Sequence, residues 1–335
     1  MQPCPLVFEP IFKPKIWGGR KLADLLDKHL PGDEPIGEAW EVADLERDQS
    51  MVARGPAKGS SIGRLVCEWG ADLLGDAGLF DGRFPLLIKY LDAVQDLSVQ
   101  VHPDAATARR LGGEVRVKNE AWYIVDAAPH GCIYRGLNDG VDQEAFAAAA
   151  RNGTCAPLLR RIPVRPGQCY YLPSGTVHAL GAGVVVAEVQ TPSDITYRVF
   201  DWNRVDAATG QPRELHIDAA LDCINFGAQE ITEDRRSHVA TVWTTVTRLV
   251  TSDSFIVERV KMTEGLDEQI PYDQLVVWMV IEGKGAITFD GSAEPFPFGK
   301  GDTVVLPAGL KNGRIKTEAD CGWLEVTIPI ARSLA

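Results

Sequence analysis

Along this chain, short runs rich in Val, Ile, Tyr, Phe and Trp are broken repeatedly by glycine and proline, a pattern that predicts many short strands with helices as exceptions. Several runs alternate in a telling way. In DLSVQVHPD, Ser98, Gln100 and His102 fall on one face, while Leu97, Val99 and Val101 form the other. In RVKNEAWYIV, Lys118, Glu120 and Trp122 share a face; in VVVAEVQTPSDITYRVF, so do Val186, Glu188 and Gln190, and after Pro192 so do Thr196, Arg198 and Phe200. Helical spacing predicts helices at 19–30, 59–74, 104–111, 142–151 and 216–226. The second is capped by Ser60 or Ser61 and carries Ile62, Leu65, Val66 and Leu73 toward a core. All of these helices read as packing elements.

An internal repeat organises these elements. GQCYYLPSGTVH, from Gly167 through Pro173 and Gly175 to His178, matches GDTVVLPAGLKN, from Gly301 through Pro307 and Gly309 to Asn312, at a constant displacement of 134 residues. Apolar strand pairs precede both copies, around 120–134 and 275–289. In each copy a strand turns sharply at Pro and Gly and then delivers one side chain into an enclosed space. The fold expected is mainly β: two jelly-roll (cupin) barrels, with a few helices inserted in and around the first. The division expected is 1–245, with insertions near 19–30, 59–74 and 142–160, followed by 246–335. His178 equips the first barrel for a metal, whereas Asn312 in the matching place makes the second a metal-free packing unit.

Composition narrows the chemistry. With 34 basic and 46 acidic side chains the formal charge is -12 and no long basic run occurs, which argues against nucleic acid; any anion site must be local. No apolar run approaches membrane-helix length and the first ten residues lack a leader pattern, so a soluble, cytoplasmic protein is expected. Seven cysteines without a C-x-x-C pair predict neither a disulfide framework nor a thiolate zinc site. Any metal must then be held by imidazole and oxygen. The sequence also lacks G-x-G-x-x-G, the phosphate loop, H-E-x-x-H and G-x-S-x-G, which weakens the dehydrogenase, kinase, zincin and serine-hydrolase readings.

Among six histidines, His29, His130, His216 and His238 fall in helix-end, hairpin or charged settings. His102 and His178 differ, because each lies on a strand expected to face a barrel interior. Gln100, His102, Glu120 and His178 offer an amide oxygen, two imidazoles and a carboxylate, a donor set suited to one divalent ion, zinc above others. Glu188 beside such an ion can take up a proton, and Arg198 can steady a developing oxyanion; the plainer reading is an ion pair between the two.

FPLLIKYLDAVQDLSVQVHPD, VKNEAWYIV, GQCYYLPSGTVHALG and AEVQTPSDITYRVFDW, with FKPKIWGGRKL and GEAWEVAD near the start, resemble the type I mannose-6-phosphate isomerases, especially the short bacterial form, over about residues 8–226. The resemblance implies zinc on Gln100, His102, Glu120 and His178; Arg198, Glu188 and Lys118 in catalysis; and Lys89 and Ser98 at the substrate's phosphate end. Leu180 departs from the tyrosine that some members carry there. The implied reaction interconverts mannose 6-phosphate and fructose 6-phosphate through an enediol, with Glu188, Lys118 or a metal-bound water moving the proton. Two other readings stand beside it: an isomerase of another aldose or ketose, perhaps unphosphorylated, and a non-catalytic sugar-binding cupin. The partner expected is thus a small sugar phosphate.

Overall fold

In the computed structural model, residues 2–113, 115–205, 210–227 and 238–329 are described. Four antiparallel sheets are stacked in sequence. A six-stranded sheet runs, in spatial order, Ile11–Gly19, Ile36–Val42, Leu87–Ala93, Val184–Gln190, Glu120–Ala127 and Cys169–Leu172. Facing it is a five-stranded sheet of Tyr197–Phe200, Val99–Val101, His178–Leu180, Cys132–Leu137 and Leu159–Pro163. The later part of the chain repeats the plan. Its seven-stranded sheet runs Leu6–Val7, Thr303–Leu306, Val276–Glu282, Cys321–Thr327, Ile256–Met262, Thr244–Thr251 and His238–Ala240. The four-stranded partner runs Asp267–Gln269, Arg314–Thr317, Lys284–Thr288 and Phe296–Gly299.

The two halves share a connection order. Setting aside Leu6–Val7, the last strand of each large sheet lies between its third and fourth in chain order. The repeat seen in the sequence is therefore a repeat of topology, with Glu120–Ala127 and Val276–Glu282 in equivalent places. The large sheet of the second half draws on both sides of residue 245, since Leu6–Val7 pairs with Val304 and Val305 and Thr244 begins a strand of it.

Period-two alternation explains the layers. In Val184–Gln190 every residue is buried, because both faces of this central strand are covered. Val185, Ala187 and Val189 join the core between the two large sheets, with Tyr90, Tyr123, Val257, Val277, Met279 and Leu324. Val184 and Val186 face the other way and meet Trp122, Ile133 and Leu180 between the six- and five-stranded sheets. Trp278, Phe298, Ile315 and Trp323 fill the corresponding space in the second half. Burial of such side chains contributes about 1.5–3 kcal/mol each.

The predicted helices exist, and all but the one predicted at 142–151, observed at Gln143–Asn152, are shorter than expected. The 19–30 segment is helical over Lys21–Leu26 and stops where Asp27 turns left-handed at φ 51°. The 59–74 segment is two helices, Ile62–Trp69 and Ala71–Leu74, broken at Gly70, whose φ of 49° no helix accommodates. Ser61, rather than Ser60, caps the first by accepting the Arg64 N–H. Asp104 and Asp142 cap Ala105–Leu111 and Gln143–Asn152 in the same way. Only Ile217–Leu221 of the 216–226 segment is helical. Phe146, Ala150 and Ala220 from these last helices cover the outer face of the five-stranded sheet at Val99, Val101 and Ala179.

One expectation about the repeat is corrected. Asn312 does not enter the second barrel. It is exposed in a left-handed turn at φ 51°, where its amide donates to Asp290 Oδ2 at 2.7 Å. The strand there begins at Arg314, whereas in the first copy His178 itself opens the strand.

Candidate active site

The polar rows predicted from alternation meet between the six- and five-stranded sheets. On the five-stranded sheet, Gln100 is paired with Arg198 on one side and His178 on the other. His102 lies just beyond the end of the strand Val99–Val101 that carries Gln100. On the six-stranded sheet, Glu188 is paired with Lys89 and Trp122, and Gln190 with Glu120. Residues separated by up to about a hundred positions thus become lateral neighbours, with side chains on the same face.

His102, Glu120 and His178 form a tight buried group whose potential ligand atoms lie within 4.8 Å of one another. Glu120 Oε1 is 3.2 Å from His102 Nε2, and Oε2 is 3.4 Å from His178 Nε2. These match the ligand–ligand separation of about 3.4 Å expected when N and O atoms sit at about 2.0–2.2 Å around one tetrahedral ion. His178 Nδ1 lies 2.8 Å from the Thr176 carbonyl, which fixes Nδ1 as the protonated nitrogen and leaves the Nε2 lone pair directed at Glu120. The Nε2 atoms of both histidines and Glu120 Oε2 are buried without a hydrogen bond, while Glu120 Oε1 is ion-paired to Lys118 Nζ at 2.9 Å. Donor atoms left in this state are costly unless something else binds them, so the residues fit a divalent cation. Gln100 lines the adjoining cavity and can add its amide oxygen.

Electrostatics sort the carboxylates. Burial alone would raise Glu120, but Lys118 Nζ at 2.9 Å and the two imidazoles reverse this and hold it well below the ordinary carboxylate range. Burial, with Lys118 behind it, pushes His102 down to about 3, and burial likewise lowers His178. Both rings are therefore neutral at pH 7, the form that binds metal. Glu188 behaves oppositely: burial and then the Glu120 charge raise it, with Lys89, Lys118 and the Trp122 hydrogen bond pulling back. Two adjacent carboxylates with diverging affinities for protons are a usual basis for dividing roles between them.

Glu188 does not pair with Arg198. Its Oε1 accepts the Trp122 indole N–H at 2.7 Å, and its Oε2 lies 3.4 Å from Lys89 Nζ. Arg198 instead donates to Ser98 Oγ at 3.2 Å and to the Glu214 carbonyl at 2.8 Å, both neutral acceptors. Lys89 is also 3.8 Å from Glu38 and lies over the Trp40 ring. Leu180 is fully buried between the sheets and does not line the cavity.

A cavity of about 340 Å³ gathers Lys89, Ser98, Gln100, Lys118, Glu120, Glu188 and Arg198. It also brings in Lys13, Lys15, Trp17, Glu38, Asp48, Asp194 and Arg213, which the sequence reading did not single out. A signal for some of them existed: Lys13, Lys15 and Trp17 alternate along Ile11–Gly19, as do Glu38 and Trp40 on the next strand. Within a chain of charge -12, six basic and five acidic residues line this space, so the local balance is slightly positive.

Residues 6–127 match the family model described as phosphomannose isomerase type I, catalytic domain. The chain is 37% identical to mannose-6-phosphate isomerase ManA of Bacillus subtilis over 321 residues, covering 95% of this chain and 97% of that one. It belongs to the type I phosphomannose isomerase family. The mannose-6-phosphate isomerase of Streptococcus mutans is 35% identical over 308 residues, covering 92% of this chain and 94% of the relative. The crystal structure of the Bacillus subtilis mannose 6-phosphate isomerase superposes with a TM-score of 0.85 at 34% identity, covering 97% of this chain and 99% of that one. Among the described residues of this family member, no helix is long and apolar enough to cross a membrane.

Proposed function

We propose that this isomerase interconverts mannose 6-phosphate and fructose 6-phosphate, with one divalent cation, zinc by preference, held by Gln100, His102, Glu120 and His178. The observation that carries the reading is the buried His102–Glu120–His178 group, whose imidazole Nε2 atoms lack a hydrogen bond and whose Glu120 reaches the cavity that also gathers Glu188, Lys118 and Arg198. When bound, the ion would supply Lewis-acid charge that stabilises the negative charge developing in the enediol.

The chain's own groups do the rest. An open-chain sugar carries a weakly acidic proton at C2, and its removal places negative charge on the neighbouring oxygens of the enediol. Arg198, whose hydrogen bonds among the described residues go to the neutral acceptors Ser98 Oγ and the Glu214 carbonyl, is assigned to that charge. Lys118 is fixed against Glu120 and adds positive charge on the same side. Glu188 is assigned as the base that carries the proton from C2 to C1: it is held in place by Trp122, and burial keeps its proton affinity above the ordinary carboxylate level. Ser98 and Lys89 are assigned to the phosphate end, with the mouth cations Lys15 and Arg213 raising the local concentration of anionic substrate.

Proton NMR in D₂O tests this reading. Incubation with mannose 6-phosphate should yield fructose 6-phosphate with deuterium entering at C1, and free mannose should turn over far more slowly. Equal rates on both sugars would reject the phosphorylated substrate, and binding without exchange would reject catalysis.

A further inference from the structure

The second barrel keeps part of the first barrel's interior and inverts its charge. In the first, Trp122 donates to Glu188 at 2.7 Å, and Lys89 lies directly across from Glu188 on the next strand. In the second, Trp278 donates to Glu325 at 3.0 Å, but the residue across from Glu325 is Glu258. Glu258 is itself held by Arg248 at 2.8 Å, so the lysine of the first barrel has been replaced by a second carboxylate with its own partner. Glu325 is 4% exposed, and all its hydrogen bonds come from neutral donors: the Tyr272 hydroxyl at 2.8 Å, Trp278 at 3.0 Å and Trp323 at 3.3 Å. Among the described residues no ion pair reaches it. Burial raises its pKa, the expected consequence of a carboxylate enclosed without a cation.

The rings that hold Glu325 are also the wall of a cavity. Tyr272, Trp278, Trp323, Trp243, Met262 and Ile270 line a space of about 380 Å³, with the Trp278 and Trp323 rings 4.8 Å apart between centroids and tilted by 36°. Hydrogen bonding to an anion draws electron density from O–H and N–H bonds into the rings, which makes their faces more attractive to positive charge. We infer that this cavity binds an organic cation, an ammonium group carrying methyl or methylene substituents, seated on the aromatic wall and supplying the positive charge that Glu325 lacks. Glu325 itself does not line the cavity, so the cation would meet its charge across the Tyr272, Trp278 and Trp323 rings that hydrogen-bond to it; a neutral apolar ligand would fill the same volume without that attraction. A hydrated inorganic cation would have to shed its water against rings and methyl groups. The inference is independent of the isomerase assignment, because none of these residues lines the catalytic cavity.

The test uses the intact protein, choline, and its uncharged isostere 3,3-dimethylbutan-1-ol, each titrated by ligand-observed NMR. Choline should bind saturably and roughly tenfold or more tightly than the isostere, the range expected for a desolvated cation–π contact. Glu325→Gln should remove most of that preference. This variant is suited to folding, since an amide oxygen can accept both indole N–H groups while its NH₂ donates to the Tyr272 oxygen; an unchanged melting temperature verifies it. Equal affinity for the two ligands in the unmodified protein would overturn the inference, as would choline binding that fails to saturate.

Discussion

Replacing Glu188 by Gln perturbs the site at one atom. The Gln carbonyl can keep the Trp122 hydrogen bond, but its NH₂ then faces Lys89, donor against donor. At 3.4 Å and an effective dielectric constant near 20, the lost attraction between Lys89 and Glu188 is about 5 kcal/mol. Part of this is offset, because Gln no longer carries the desolvation cost of a buried carboxylate and Lys89 retains Glu38 at 3.8 Å. A net destabilisation of about 1–3 kcal/mol follows, small enough for the variant to fold. The catalytic effect should be larger. Removal of a general base costs roughly 10²- to 10⁴-fold, or about 3–5 kcal/mol of barrier, and should fall on kcat more than on KM. The assay couples isomerisation to deuterium uptake at the migrating proton, with bound metal measured on the same sample. Metal content should be unchanged, since Glu188 lies outside the His102–Glu120–His178 group. Turnover within about threefold of the unmodified protein, with full metal, would refute Glu188 as the base and leave Lys118 or a bound water in its place.

Glu120→Gln should lose metal and activity together, since it removes the single carboxylate of the donor set; activity persisting in metal-free protein would contradict the ligand assignment. Lys89→Met should weaken turnover of the phosphorylated sugar more than that of the free sugar, read as a ratio of kcat/KM values, whereas equal losses would place Lys89 at the reacting carbons beside Glu188. Asp201, although burial opposes it, is held below its ordinary value of 3.8 by hydrogen bonds from Arg213 and Arg204. Its contribution is therefore present above pH 3.8 and is lost as pH falls through the lower folded value. In urea titrations Asp201→Asn should cost about 2 kcal/mol at pH 7, and the difference from the unmodified protein should shrink only below pH 4; a pH-independent difference would count against the ionised pair.

The legible part of this molecule was whatever period two and a repeated turn can encode. Ser98, Gln100 and His102 share a face because alternate residues of a strand must, and Gly167 and Gly301 mark equivalent turns because both need positive φ, at 89° and 85°. Which strands become neighbours is not a local property. The plainer alternative of a Glu188–Arg198 ion pair, ten residues apart, fails because the sheet sets Glu188 beside Lys89, far earlier in the chain. Asn312 falls outside the strand for a related reason: in the second copy the strand starts two residues later, at Arg314, so Asn312 lies in the left-handed turn before it. The mouth residues Lys13, Lys15 and Glu38 alternate as clearly as the ligands do, but lysine and glutamate on one strand face also describe any solvated edge. Only the fold distinguishes a cavity from a surface.

Four donors from three strands and one strand end are held to share a single ion, and anomalous X-ray diffraction at the zinc edge from crystals of fully active, zinc-loaded protein tests this most directly. One peak per chain is expected, about 2.0–2.2 Å from Gln100, His102, Glu120 and His178. A peak elsewhere, or none between these side chains while the enzyme turns over at full rate, would contradict it.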